Sequence, residues 1–211
     1  MTARGGVATL RAPSPPPSRS EARPLRLRIL GIDPGSLVTG YGVVERRGAG
    51  IHHVAHGTLR PPRAAALASR LAALQAGLAR VIEAHRPDLV VVEQVFVAAN
   101  ARAALVLGHA RGVALAAASA GGLLVEELSP QQVKQAVVGH GGAEKLQVQR
   151  MVQRLLGLAA PPPEDAADAL AAALCRAHQS ALPALASLSL GAQRRGRAKP
   201  RAPRFVLRRA R

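Results

Sequence analysis

Residues 25–33 alternate apolar and basic side chains before turning uniformly apolar. Leu25, Leu27 and Ile29 are interleaved with Arg26 and Arg28, and Leu30-Gly31-Ile32 then leads into Asp33. Alternation predicts a strand with one buried face, and the apolar run predicts burial on both faces. Pro34-Gly35 interrupts the pattern and Val38 to Val44 resumes it, so this segment predicts a hairpin that delivers a carboxylate to a sheet end. Ile51 to Leu59 predicts a third strand, on which His52 and His56 share a face and His53 points the other way. From Arg63 to His85, Leu67, Leu71, Leu74, Leu78 and Ile82 step by three or four, the spacing of one helical stripe. Arg86-Pro87-Asp88 ends that helix. Leu89 to Val92 is a short β-branched run that terminates in Glu93, the pattern of a strand buried on both faces.

The second half of the chain reads mainly as helix. Asn100 to Ala120 is alanine-rich, with Gly108 and Gly112 one turn apart, a spacing that permits close approach of another element. Leu123 to Val125 predicts a strand leading to Glu126 and Glu127. Ser129-Pro130 supplies an N-cap and a first-turn proline for a helix from Gln131 to Val137. A glycine loop (Gly139, Gly141, Gly142) precedes a helix from Glu144 to about Leu158, and Pro161-Pro162-Pro163 separates it from a last helix, Glu164 to His178. Three strands in succession suggest antiparallel pairing, and the later alternation suggests parallel β-α-β units. The expected fold is α/β, with a mixed five-stranded sheet flanked by helices on both faces.

Composition changes this picture only at the ends. The net charge is +17 over 211 residues, but residues 1–24 contribute +3 and residues 180–211 contribute +9, leaving +5 for residues 25–179. One domain over residues 25–180 is therefore expected, preceded by a Pro/Ser/Arg-rich extension (1–24) and followed by a basic tail (181–211), neither with apolar periodicity. The tail is equally a solvated extension or an arm that attracts phosphates. One cysteine, Cys175, excludes an internal disulfide and suits a reducing, cytoplasmic setting. Its Ala/Leu-rich surroundings mark it as a small buried hydrophobe. The longest apolar run, Gly112 to Val125, falls short of the ~20 residues a membrane span needs, and a soluble protein is expected. His52, His53 and His56 have no neighbouring Cys or acid to complete a metal site, so they read as solvated strand residues.

The candidate chemistry lies in four carboxylates. Asp33 and Glu93 each end an apolar strand, and Asp165 and Asp168 are three apart on one helix, in neighbouring positions. If the strands are adjacent and the helix crosses their ends, the four share one cavity. Ionised acids that close together need counter-charge. Mg²⁺ is the usual solution, and two such ions can clamp the attacking and leaving oxygens of a phosphodiester. Each acid also has a simpler reading: Asp33 as a turn residue, Glu93 as a solvated strand end, and Asp165 with Glu164 as helix N-terminal acids.

Several motifs are shared with a known family. Asp33-Pro34-Gly35-Ser36 with Thr39-Gly40-Tyr41-Gly42-Val43, Glu93-Gln94-Val95-Phe96 with Asn100, Leu107-Gly108 with Ala110-Arg111-Gly112, Val133-Lys134-Gln135, Ala143-Glu144-Lys145, and Asp165 to Ala171 closely resemble the RuvC family of Holliday-junction resolvases. The resemblance spans roughly residues 26–180 in order. It implies a ribonuclease-H-like fold and a homodimer that nicks two strands of like polarity at a four-way DNA junction, working with a RuvA-RuvB branch-migration complex. It also implies that Asp33, Glu93, Asp165 and Asp168 hold the catalytic metals, two Mg²⁺ per subunit with Mn²⁺ able to substitute. Lys134 and Lys145 would serve the scissile phosphate, and Phe96 would contact unpaired bases at the junction centre. His109 stands where the family usually has Gln, and Ala99 where a lysine is common. Two rivals are an actin-like phosphotransferase, which needs a second lobe this chain lacks room for, and a non-catalytic junction scaffold, in which a lost acid would be expected.

Overall fold

The computed structural model describes residues 26–94 and 100–179. Among the described residues there are five strands, β1 (Arg26–Asp33), β2 (Thr39–Arg47), β3 (Gly50–Leu59), β4 (Leu89–Glu93) and β5 (Leu124–Leu128). They lie in the order β3-β2-β1-β4-β5, with β1, β2 and β3 antiparallel and β1, β4 and β5 parallel. The helices are α1 (Leu67–His85), α2 (Ala101–Ala120), α3 (Pro130–Val138), α4 (Lys145–Leu156) and α5 (Glu164–Gln179). This is the expected mixed α/β arrangement, and β1 at its centre explains why that strand turns apolar on both sides. Ile29 packs into the core beneath α3, α4 and α5, while Leu30 and Ile32 pack into the core beneath α1 and α2.

α5 lies against the sheet more closely than ordinary side chains allow. Its buried face is nearly all alanine, with Leu170, Leu174 and Cys175 among them. Opposite it, a Cβ on Gly31 would fall well inside 3.0 Å of the Ala169 carbonyl oxygen, and one on Gly40 equally close to the carbonyl of Asp165. Helix backbone therefore rests on strand backbone at two points. That contact sets how far α5 sits from the strand ends. Cys175 is fully buried there, and burial pushes its thiol up to about 11, as expected for a packing residue.

Local signals account for most boundaries. Ser129 caps α3 through a reciprocal box with Gln132, and Gly139 closes it in a left-handed conformation. Three expectations are corrected. α1 begins at Leu67 and not Arg63, because Ala65 N–H bonds back to Pro62 in a turn and no side chain caps the helix. β5 continues through Glu126 and Glu127 to Leu128, because these acids are paired: Arg176 of α5 donates to Glu126 at 3.0 Å, and Arg111 of α2 to Glu127. On β3 a register shift opposite Val43/Val44 breaks the alternation. His53 and His56 consequently share a face, with Nε2 and Nδ1 at 2.8 Å, instead of pointing apart.

Candidate active site

β1 and β4 are parallel neighbours with Ile32 opposite Val92, so they end together and set Asp33 and Glu93 side by side. Both carboxylates face α5. Gly31, two residues before Asp33, lies under Ala169, and Val91, two before Glu93, packs in the α5 core. α5 begins over the same end, where its Asp165 carbonyl rests on Gly40, the residue paired with Asp33. Asp165 and Asp168 thus enter the cleft from above, with Asp168 deeper and Asp165 at the rim, where Arg60 approaches it at 4.0 Å. The β1–β2 turn does not depend on Asp33: Thr39 Oγ1 donates to the Gly35 carbonyl at 2.7 Å and accepts from its N–H at 3.2 Å. That removes the simple turn reading of the aspartate.

The electrostatics show strain among like charges. Burial, followed by repulsion from Asp168 and Asp165, raises the Asp33 carboxyl to about 7. Glu93 is likewise raised to about 7 by burial, then by Asp33 and Asp168. Asp168 is raised chiefly by burial, against the pull of Lys145. Lys145 is the principal local cation: its Nζ lies 2.7 Å from Glu164 Oε1 and 3.9 Å from Asp168 Oδ2, and the Glu164 bond raises its pKa. Lys134 on α3 also favours the ionised forms of Glu93 and Asp168. Among the described residues no three His, Cys, Asp or Glu side chains close around one point. The acids instead line an open cleft of hard oxygen donors with partial counter-charge, a donor set that fits Mg²⁺-type cations.

A family model described as crossover junction endodeoxyribonuclease RuvC matches residues 29–176. The chain belongs to the RuvC family. The RuvC of Halorhodospira halophila is 56% identical over 167 residues, covering 79% of this chain and 99% of the relative. That of Geobacter sulfurreducens is 50% identical over 156 residues, covering 74% and 95%. Among solved structures, Thermus thermophilus RuvC in complex with a Holliday junction substrate superposes with a TM-score of 0.68 at 37% identity, over 72% of this chain and 93% of that one. A yeast mitochondrial Holliday junction resolvase shares the fold at 16% identity, with a TM-score of 0.54 over 72% and 78%.

Within this RuvC fold, Asp33, Glu93, Asp165, Asp168, Lys134 and Lys145 are gathered at one sheet end. Phe96 and Ala99 lie outside the described residues. Asn100 caps α2, its Oδ1 accepting from Ala103 N–H at 2.7 Å. His109 lines an exposed groove between α1 and α2. Sequence reasoning missed three features. Glu164 is the partner that tethers Lys145, and nothing in its helix-terminal position signals a residue 19 earlier. Arg60 reaches the rim from the end of β3. Arg70 and Arg102 share a cleft of 450 Å³ with Ser36 and Asn100, and the buried Arg70 Nε has no hydrogen-bond partner among the described residues. An arginine among the α1 leucines was the available signal.

The raised carboxyls predict an unusual stability profile. An acid whose folded pKa lies above its unfolded value binds more protons when folded, so stability falls as pH rises between roughly 4 and 7. Metal-free protein should therefore melt higher near pH 5.5 than near pH 7.5. Millimolar Mg²⁺ should close the gap. The double variant Asp33→Asn/Glu93→Gln should show little of the pH effect, and an unchanged profile in that variant would remove these two acids as its source.

Proposed function

We propose that the chain resolves four-way DNA junctions in recombination and repair, hydrolysing one phosphodiester in each of two strands of like polarity. The observation that carries this reading is the convergence of Asp33, Glu93 and Asp168 from β1, β4 and α5 in one partly buried, mutually repelling group beside Lys145. Asp33, Glu93, Asp165 and Asp168 would hold divalent metal, two Mg²⁺ per subunit with Mn²⁺ as a substitute. Bound there, the metal supplies positive charge to the attacking and leaving oxygens of the phosphodiester. Lys145, held by Glu164 at the mouth of the cleft, would orient the scissile phosphate, and Lys134 would extend that contact along α3. Phe96 stacks on bases splayed at the junction centre. Arg70 and Arg102 offer phosphate contacts on the flank nearest the β1–β2 turn.

Two cuts related by symmetry call for two sites, and α2 supports a homodimer. The helix is long and apolar enough to cross a membrane, yet only 22% of its apolar window is buried. Leu105 is 66% exposed, and Gly108 and Gly112 have no neighbour among the described residues within 4 Å of where a Cβ would sit. With Leu71, Gln75 and His109 they form a groove of 910 Å³ that a second copy would fill, small residues allowing the two backbones to close up. Leu105→Glu is expected to shift the protein from dimer to monomer in sedimentation at micromolar concentration, with nicks falling from paired to single. A dimer undisturbed by that charge would place the interface elsewhere. The reading also puts the protein in the cytoplasm, working with a RuvA-RuvB branch-migration complex.

The direct test incubates the purified chain with a synthetic four-way junction and a matched linear duplex, with Mg²⁺ or with EDTA. Paired nicks confined to the junction and to the Mg²⁺ reaction are expected. Tight junction binding without nicks would instead make the protein a scaffold.

A further inference from the structure

Glu164 stands one residue ahead of the rim acid Asp165 and has no part in the chemistry assigned to the cleft acids. Its carboxylate accepts from Lys145 Nζ at 2.7 Å, whereas Asp168 Oδ2 lies 3.9 Å from the same nitrogen. The ammonium therefore rests on the more exposed of two acids: the Glu164 side chain is 59% exposed and that of Asp168 22%. Attraction between opposite charges strengthens as water is withdrawn, and Asp168 has Asp33 and Glu93 behind it, so the cleft pulls the ammonium inward. A shift of ~1 Å would bring Nζ to the ~2.8 Å of a charge-assisted hydrogen bond with Asp168. The bond to Glu164 opposes that shift. It is the largest influence on the Lys145 pKa and raises it, ahead of the pull of Asp168 and Asp33.

The tether joins two helix starts that are fixed by other bonds. At the head of α4 the Glu144 N–H donates to Gln147 Oε1 at 2.9 Å. Further along α4, Gln149 Nε2 donates to the Pro162 carbonyl at 2.7 Å, which pins this helix to the segment that leads into α5. α5 then opens with the Ala167 N–H donating to the Pro163 carbonyl at 2.8 Å. With both backbones held, what remains free is the four-carbon lysine stem, which can turn to either acid. The neighbouring charges do not take over from Glu164. Asp165 has Arg60 at 4.0 Å on the far side of the rim, and Lys134 acts on Glu93 and Asp168 from α3.

We propose that Glu164 is a positioning residue that keeps Lys145 off Asp168 and so leaves the carboxylate cleft open to a divalent cation. Without Glu164 the ammonium closes on Asp168 and stands among the acids, where an incoming cation has to displace it. Glu164 thus favours metal binding through Lys145, without being a ligand itself. This rests on the reading of Asp33, Glu93, Asp165 and Asp168 as the acids that hold metal.

The test measures Mn²⁺ binding to the full-length chain without DNA, by electron paramagnetic resonance of the free ion. Salt at ~0.15 M screens the more distant charges. A double-mutant cycle compares wild type, Glu164→Gln, Lys145→Met and the double variant. Both side chains are exposed, so neither substitution opens a packed core. Glu164→Gln is expected to weaken Mn²⁺ binding, and the loss should be ~3- to 5-fold larger with Lys145 present than in the Lys145→Met background, the upper range for an exposed ion pair. A crystal structure of metal-free Glu164→Gln should show Lys145 Nζ in hydrogen-bonding distance of Asp168. Equal losses in the two backgrounds would overturn the proposal, because Glu164 would then act as a direct ligand or through its charge alone. A lysine that stays away from Asp168 in the variant would overturn it as well. No uptake of Mn²⁺ by wild type would instead refute the metal reading beneath it.

Discussion

Asp33→Asn is expected to abolish junction nicking while leaving junction binding intact. The substitution keeps the side chain's volume and removes its charge from the point where β1, β4 and α5 converge. Asp33 is the most strongly perturbed of the acids because it is partly withdrawn from water and faces both helix aspartates. A loss of about 10³-fold or more in single-turnover nicking corresponds to some 4 kcal/mol of transition-state stabilisation. On the proposed reading, binding rests on phosphate contacts made by basic side chains, so the mobility-shift affinity should be unchanged or slightly tighter. Asp168→Asn should behave alike. Thermal melts separate a chemical from a structural role: removing a buried repulsion should raise the melting temperature of metal-free protein near pH 7.5. A nicking rate within a few-fold of wild type would end the metal-site assignment, and a fall in melting temperature would make Asp33 a structural residue.

Gly31→Ala should be the most destabilising conservative change in the sheet. The new methyl would press on the Ala169 carbonyl and lie 3.0 Å from the Ala173 nitrogen, both backbone atoms of α5. A clash with a flexible side chain is relieved by rotation, but a helix backbone held along its length by ten buried residues can only move as a body. The expected cost is about 3 kcal/mol or more, the upper range for overpacking, or roughly a 10 °C drop in melting temperature for a domain of this size. Gly40→Ala meets the Asp165 carbonyl in the same way. It should depress nicking beyond its effect on stability, because it pushes the start of α5 away from Asp33. Full stability in Gly31→Ala would mean that α5 has room this packing denies it.

Several features were legible in the chain because they are local. The alternation through Leu27 and Ile29 and the run to Ile32 located β1 and its terminal acid, and the leucine steps from Leu67 to Ile82 located α1. Ser129-Pro130 marked the start of α3. Asp33 and Glu93 were readable as strand-end acids, since an apolar run that stops at a carboxylate is a one-dimensional pattern. The motif series then pointed to the family on residues close together in sequence.

What the sequence by itself determined is therefore the set of elements, the buried side of most of them, and the identity of the acids. Only the tertiary structure decided what each element meets. The bulge opposite Val43/Val44 that turns His53 toward His56 depends on pairing with β2, which a period of two cannot register. Lys145 finds Glu164, Arg176 finds Glu126, and Arg28 finds His85 across separations of 19 to 57 residues, where periodicity is silent. The glycines under α5 looked like ordinary strand and turn residues until a helix lay on them. Periodicity records that a side chain must leave water, because that requirement is local. Which partner receives it depends on a close-packed interior shared by elements far apart in the chain.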